Sequence, residues 1–398
     1  MKVLIVGGGV TGIEALLALH DLAPDEVDVT LVAPTPDFIY KPLAVQEPFG
    51  SEPAARIELA PLVEQNGGTF IQRAVSRIDP EAQRVELDDG SSVDFDAAIV
   101  CVGARAEPAF AHAETLDPSG KWIEIDSLLR QAAGDESGRI AFVVPPGGSW
   151  PLPAYELALM AQARARELGV QVTITVVTPE ASPLAIFGPH ASEAVASVLA
   201  ARGIEVRAGA RAEESAEGEL VLRPQGDSIA AGAVVALPAL RGPRVNGLPA
   251  DENGFLPIDE HARVRGTSGV YAAGDGTNFP VKHGGIGTQQ ADAAAEHIAA
   301  EAGASVEPQP FHPVLRGKLI TGDESLNLKA DIGGGCGEGV SSLDYLWWPP
   351  QKIAGRYISA MLAGDEPHAV GPPPEHGIDV EVSLDREWHA EPLGLDPQ

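Results

Sequence analysis

The run Lys2-Val3-Leu4-Ile5-Val6-Gly7-Gly8-Gly9-Val10-Thr11-Gly12-Ile13-Glu14 decides the fold. Residues 3–6 form a short continuous apolar run, the pattern of a strand buried on both faces of a parallel sheet. Residues 15–22 continue as a helix. Between them Gly7, Gly9 and Gly12 stand at GxGxxG spacing. Gly7 permits the tight turn, Gly9 lets a pyrophosphate approach the backbone, and Gly12 lets the helix pack close to the strand. The amides around Val10 and Thr11 then point an anion at the positive end of the helix dipole. This order of strand, glycine turn and helix predicts a dinucleotide-binding unit. Its second strand is expected over 27–32. An acidic residue normally grips the ribose after that strand, but Ala33-Pro34 stands there, so Asp37, or backbone and water, must take that role.

Working outward, residues 69–95 read as short alternating strands with a turn at Asp89-Gly90, followed by an apolar strand over 97–102 and Gly103. A second strand–loop–helix unit is expected from 139–144, with a helix over 154–168, a strand over 170–177 and a helix from about His190 to Arg202 that stops at Gly203. Its loop reads Pro145-Pro146-Gly147-Gly148-Ser149-Trp150-Pro151-Leu152-Pro153. When Glu156 is aligned with Glu14, Ser149, Pro151 and Ala154 occupy the three glycine positions. Proline has no N–H to offer a phosphate, and Thr178 stands where the ribose-binding acid belongs, with Glu180 nearby. The fold persists without the site, so poor NAD(P)H binding is expected. The chain returns through a hairpin over 254–263 to Gly269-Val270-Tyr271-Ala272-Ala273-Gly274-Asp275, and then through Lys282-His283-Gly284-Gly285-Ile286-Gly287 into an alanine-rich helix ending near Ala300. A strand ending in Gly274-Asp275 aims a carboxylate at a sugar-like chain, and a helix opening on glycines aims its dipole at developing negative charge.

The fold class read from this order is α/β, with two Rossmann-like domains for FAD and NAD(P), the second inserted in the first, plus a C-terminal α+β interface region. Residues 1–110 and 240–305 form the first domain, 111–239 the degenerate second, 306–363 the interface region and 364–398 an acidic tail. A length of 398 residues accommodates this at roughly 100–200 residues per domain. Apolar residues at 44% and charged residues at 21% describe a globular chain. No apolar stretch reaches the ~20 residues of a membrane span. The net charge of -30 repels nucleic acid and anionic lipid; it reads first as solubility, with salt adaptation or a cationic partner as alternatives. Cys101 and Cys336 belong to no CxxC or zinc spacing, so neither a dithiol mechanism nor a metal site is expected. The N-terminus runs directly into the glycine loop, which leaves no room for a signal peptide and points to the cytoplasm.

Together, Gly7 to Glu14, Phe38-Ile39-Tyr40-Lys41-Pro42-Leu43, Asp96 to Gly103 and Tyr271 to Gln290 resemble the pyridine nucleotide-disulfide oxidoreductase superfamily of flavoproteins. Within it the chain is most similar to sulfide:quinone oxidoreductases, type II NADH dehydrogenases and flavocytochrome c sulfide dehydrogenases. The resemblance covers residues 1–360 and is weakest in the middle. It implies that Gly7, Gly9 and Gly12 hold the FAD pyrophosphate, that Val75 lies on the adenine side and that Asp275 meets the ribityl chain. It also implies that Lys41 and Pro42 lie near the isoalloxazine, with Val102, Gly103 and Gly274 lining the cofactor. The helix opening at Gly284 to Gly287, including Gly285, would face the flavin N1 and O2 edge beside Lys282. The sulfide-oxidising relatives use cysteines beside the flavin. This sequence has none between Phe38 and Gly50, so the FAD is expected to be non-covalent.

The function expected is that of an FAD-dependent oxidoreductase that passes electrons from a small-molecule donor to a quinone or protein carrier, the flavin carrying the redox chemistry. The alternatives are an NAD(P)H dehydrogenase and a non-catalytic flavin-binding interaction protein. Lys282 and His283 are the candidate catalytic residues, the imidazole because its pKa is tunable through neutral pH. Cys101 reads as core, and Cys336 as an incidental loop thiol or a mobile one near the site. A hairpin over 314–321 precedes Trp347-Trp348, which suit a quinone pocket, a partner surface, a peripheral membrane contact or a closing core. A helix is expected over 352–362.

Overall fold

The computed structural model describes residues 1–116, 123–147, 149–214, 219–322, 324–332 and 339–364. Two five-stranded parallel sheets organise them. In the first, Lys2–Val6 is central, with Asp28–Ala33 and then Thr69–Gln72 on one side, and Ala97–Val100 and then Val270–Ala272 on the other. Val3 to Val6 are all buried, as a central strand covered on both faces requires. In the second, Arg139–Val143 is central, flanked by Thr173–Val177 and Glu205–Arg207 on one side, and by Ala233–Ala236 and Glu114–Thr115 on the other. The chain leaves the first sheet and comes back to it through one antiparallel ribbon, Arg105–Glu107 against Ala239–Arg241. In each sheet the central strand has parallel neighbours on both sides, so the loop after it sits where strand order reverses, the place at which such sheets bind ligands.

Small residues bring the two helices of the first domain together. Helix Val10–Leu22 packs on Gly284–Ala302, with Ala15 and Ala18 of the former and Ala291, Ala294 and Ala295 of the latter fully buried. Leu16, also fully buried there, would cost roughly 2–5 kcal/mol as alanine. Buried Ile13, Leu19 and Ile298 fill the layer between these helices and the sheet.

The C-terminal region is a three-stranded antiparallel sheet, Val314–Leu319, Leu326–Asp331 and Val340–Ser342. Three expectations are corrected here. Residues 314–319 form one strand, and the hairpin turns beyond it to pair with Leu326–Asp331. The last helix covers only Ile358–Ala363, because the backbone before it is bound elsewhere: Ile353 N donates to the Tyr40 hydroxyl at 2.8 Å, and Tyr357 N and Ile358 N donate to the two Glu14 carboxylate oxygens at 2.9 and 2.7 Å. The stretch 254–263 is a bridged loop rather than a hairpin of two strands, its Ile258 bridging antiparallel to Val264 just beyond it. Among the described residues no helix is long and apolar enough to cross a membrane.

Candidate functional site

The glycine turn is built as its spacing requires. Gly7 has φ +114°, and a Cβ there would strike the Cys101 carbonyl. A Cβ on Gly12 would collide with the Gly7 carbonyl, whereas Gly9 faces open space. Helix Val10–Leu22 starts at Gly9 with no side-chain cap, so its first amides remain available to an anion. Thr11 Oγ1 lies 2.7 Å from where a Cβ would stand on either Gly274 or Gly287. That contact brings three separate segments together: the turn, the Gly274-Asp275 corner and the opening of helix Gly284–Ala302. Gly276 closes on the Gly103 carbonyl, which adds the end of strand Ala97–Val100, where Val102 is exposed. Gly274 N donates to Gln290 Oε1 at 2.8 Å and fixes the corner. Ala33 is buried at the end of its strand, Pro34 is exposed, and Val75 opens the strand Val75–Asp79. Asp37 lines a cavity of about 380 Å³ with Glu58, Phe70 and Gln72.

The charges at this corner are arranged around Asp275. Burial raises its pKa against the pull of Lys282 and Lys41, which places Lys41, from the short 3₁₀ helix Lys41–Phe49 that also carries Pro42, within its field. Lys282 is itself buried. Its ammonium donates to the Thr277 carbonyl and lies 3.8 Å from the centre of the Phe255 ring. Burial pushes its pKa down to about 8 against the attraction of Asp275 and Asp251. His283 is the first flanking residue of helix Gly284–Ala302, with its carbonyl accepting from Ile286 N and Gly287 N. Its ring is buried 4.7 Å from the Trp150 ring, and Nδ1 has no partner. Burial, with Lys352 and Arg316 nearby, pushes the imidazole down to about 3. That burial weighs against the expectation of an acid–base group titrating through neutral pH at His283.

The second loop holds no comparable cradle among its described residues. Ser149 Oγ donates to the Pro238 carbonyl, and Trp150 packs edge-on against Phe187 at 5.8 Å. The acid position after strand Thr173–Val177 is filled from within: Tyr155 OH and Thr178 Oγ1 both donate to Glu180 Oε2, at 2.8 and 3.0 Å. Burial raises Glu180 to about 7. Glu156 is fully buried and paired with Lys352 Nζ at 2.7 Å, and it also accepts Ile320 N at 2.9 Å.

Trp347 is buried, and its Nε1 donates to the Gln351 carbonyl at 2.9 Å. Its assignment to a membrane contact is corrected, because the indole's polar edge is already satisfied inside the protein; Trp348 is half-buried. Cys101 is buried, and desolvation pushes its thiol up. Cys336, Gly148 and the tail beyond 364 lie outside the described residues. Three neighbours of the site had no local signal. Trp150, Lys352 and Gln290 meet it through contacts that residue spacing along the chain does not encode.

The comparisons agree with this architecture. The pyridine nucleotide-disulphide oxidoreductase family profile matches residues 1–146 and 147–297. The sulfide-quinone reductase of Aquifex aeolicus is 28% identical over 186 residues, 45% of this chain and 43% of that protein. The NADH dehydrogenase-like protein Rv1812c of Mycobacterium tuberculosis is 27% identical over 296 residues, 69% of this chain and 72% of that one. The match thus spans less than half the length of the first relative and nearly three quarters of the second. The solved sulfide:quinone oxidoreductase from Aquifex aeolicus shares the fold, with TM-score 0.77 at 20% identity, covering 86% of each chain. With two parallel sheets of matching order, one intact glycine turn and a profile match across both, the chain belongs to the pyridine nucleotide-disulphide oxidoreductase family of flavin-dependent oxidoreductases.

Proposed function

We propose that this protein binds FAD non-covalently in its first domain and passes electrons from a small donor to a quinone or a soluble carrier. The observation that carries this reading is the convergence of Gly274 and Gly287 on Thr11 of the tight Gly7–Gly12 turn, beside an uncapped helix start with open space at Gly9. These residues fit a dinucleotide cofactor: the first turn of helix Val10–Leu22 would hold the pyrophosphate and Asp275 would meet the ribityl chain. When bound, FAD supplies the electron-accepting and electron-donating chemistry. The protein's own part is to orient and to tune. Lys282 and the amide end of helix Gly284–Ala302 set positive potential at one corner, while neutral His283 offers Nδ1 for a hydrogen bond.

The second crevice favours a donor other than NAD(P)H. Pro145, Pro146, Pro151 and Pro153 remove amide donors, and Tyr155 occupies the carboxylate that would receive a ribose. The rival reading, an NAD(P)H dehydrogenase, draws on the likeness to Rv1812c. Anaerobic reduction of the yellow protein with NADH, NADPH and sulfide in parallel separates them. We expect slow or absent bleaching by either nicotinamide, and fast stoichiometric bleaching at micromolar NADH makes the rival the function. Acid precipitation should release the flavin into the supernatant; colour retained in the pellet refutes non-covalent binding.

A further inference from the structure

A cavity of about 430 Å³ opens where the 3₁₀ helix Lys41–Phe49, helix Leu152–Leu168 and the C-terminal region meet. Leu43, Phe49 and Ile320 give it an apolar wall, and Arg164, Lys318 and Lys352 bring three cations to it. Two of these already have carboxylate partners, Arg164 at the surface and Lys352 in the interior. Arg164 binds Asp126 and Glu167, each at 2.8 Å, and Lys352 binds Glu156 at 2.7 Å. Lys318 differs: among the described residues it pairs with no carboxylate, and its Nζ reaches only the Pro350 carbonyl at 3.5 Å and the Tyr345 ring at 5.7 Å. An ammonium held half out of water without a counter-ion is costly, and an anion placed beside it offsets that cost. In a chain of net charge -30, such a cation is out of keeping with the general field.

We propose that this cleft binds a small organic monoanion, a carboxylate carried on an apolar body, with Lys318 as its counter-ion. The walls decide the class. Helix Leu152–Leu168 lines the cleft with Met160, Ala163, Arg164 and Glu167, its later half, so it presents the carbonyl end of its dipole, which disfavours a multiply charged phosphate. Glu167 at the same wall adds to that bias. The apolar side rewards a hydrocarbon or aromatic body, and the volume lies at the lower end of small-molecule sites. The Glu156–Lys352 pair at its edge also approaches His283, so under the proposed function the anion would lie on the flavin side of the second domain. Its binding is independent of that reading.

Calorimetric titration of the flavin-containing protein with benzoate and with its neutral isostere benzamide tests this directly. Benzoate should bind at least about tenfold more tightly than benzamide. Lys318→Met should weaken benzoate about tenfold and leave benzamide unchanged, whereas Lys318→Arg should retain most of the benzoate affinity. Ala163→Phe, which fills the cleft, should abolish both signals with the melting temperature preserved. Equal binding of the two probes, indifference of benzoate to Lys318→Met, or no benzoate heat at millimolar concentration overturns the proposal. Tight binding of 1,4-naphthoquinone that ignores Lys318→Met overturns it too, in favour of a neutral acceptor. Flavin content, measured separately by acid release, reports on the cofactor reading whatever benzoate does.

Discussion

The two sheets share one strand order and one placement of the loop after the central strand, yet among the described residues only the first loop has the close-packed glycine turn. At Gly7 and Gly12 a side chain has no room, and at Gly9 there is nothing but space. In the second domain the equivalent ground is taken by the protein itself: Trp150 packs on Phe187 and His283, and Tyr155 satisfies Glu180. What both helices keep is the glutamate. Glu14 and Glu156 are each fully buried, and each accepts backbone amides of the C-terminal region, from Tyr357 and Ile358 in one case and Ile320 in the other. The fold has thus been retained twice, and both copies anchor the same third element, while donors for a cofactor survive in one. A parallel sheet needs its strands and buried helix faces to fold, not its phosphate donors, so the site can be lost without the architecture.

The largest expected effect breaks that difference at its source. Gly12→Ala drives a methyl into the Gly7 carbonyl, and bound flavin should fall at least about tenfold. The matched change in the other domain, Ala154→Gly, should cost only about 1 kcal/mol of stability, as glycine does in a helix, with flavin content unchanged. Equal loss of flavin in both variants would contradict the division of labour. Flavin absorbance per protein decides it.

Next comes the charge at the first site. Lys282→Met removes the buried ammonium beside Asp275, and the flavin midpoint potential should drop by about 30 mV, equivalent to roughly 1.4 kcal/mol for a two-electron couple. Occupancy should stay near full because the glycine turn holds the cofactor. A potential that is unchanged or higher in a spectroelectrochemical titration removes Lys282 from the flavin's field.

A smaller effect is expected from the corresponding acid of the second domain. Burial raises Glu180 from 4.5 to about 7, so over that interval the folded protein holds a proton that the unfolded chain has released. Its contribution to stability is present below the lower value and is lost as pH rises through about 7. Glu180→Gln removes this dependence. Relative to the variant, the wild type should lose on the order of 1 kcal/mol between pH 4.5 and 8, and parallel denaturant melts that do not diverge would show that Glu180 is hydrated instead. The smallest change is expected from Cys101→Ser with Cys336→Ser, which should keep flavin reduction within a fewfold of wild type. Cys101 is a core residue with its thiol pushed up by desolvation, and loss of turnover in a folded variant would point to Cys336.

Much of the first domain was legible because its signals are local. Val3 to Val6 could only be a buried strand, and Gly7, Gly9 and Gly12 could only be a tight turn meeting a close helix. The proline-filled second loop was equally plain. The C-terminal region was not: the helix expected over 352–362 lost its first half because Tyr40 and Glu14, more than 300 residues away, take its backbone amides. Nor did spacing reveal that the His283 ring would be buried beside Trp150 with its pKa pushed down, since a residue's pKa depends on what desolvates it and not on its neighbours in the chain.

By itself the sequence determined the α/β class, the repeated strand–loop–helix unit, the one intact glycine turn and the absence of a paired-cysteine motif, because each is written in adjacent residues through backbone sterics and period. Tertiary structure alone decided that Thr11, Gly274 and Gly287 converge, that Tyr155 closes the second acid, that Trp347 turns inward, and that Lys318 faces the cleft with no carboxylate partner among the described residues. These depend on which distant surfaces are buried against one another, and burial is what converts a residue's chemistry into a site.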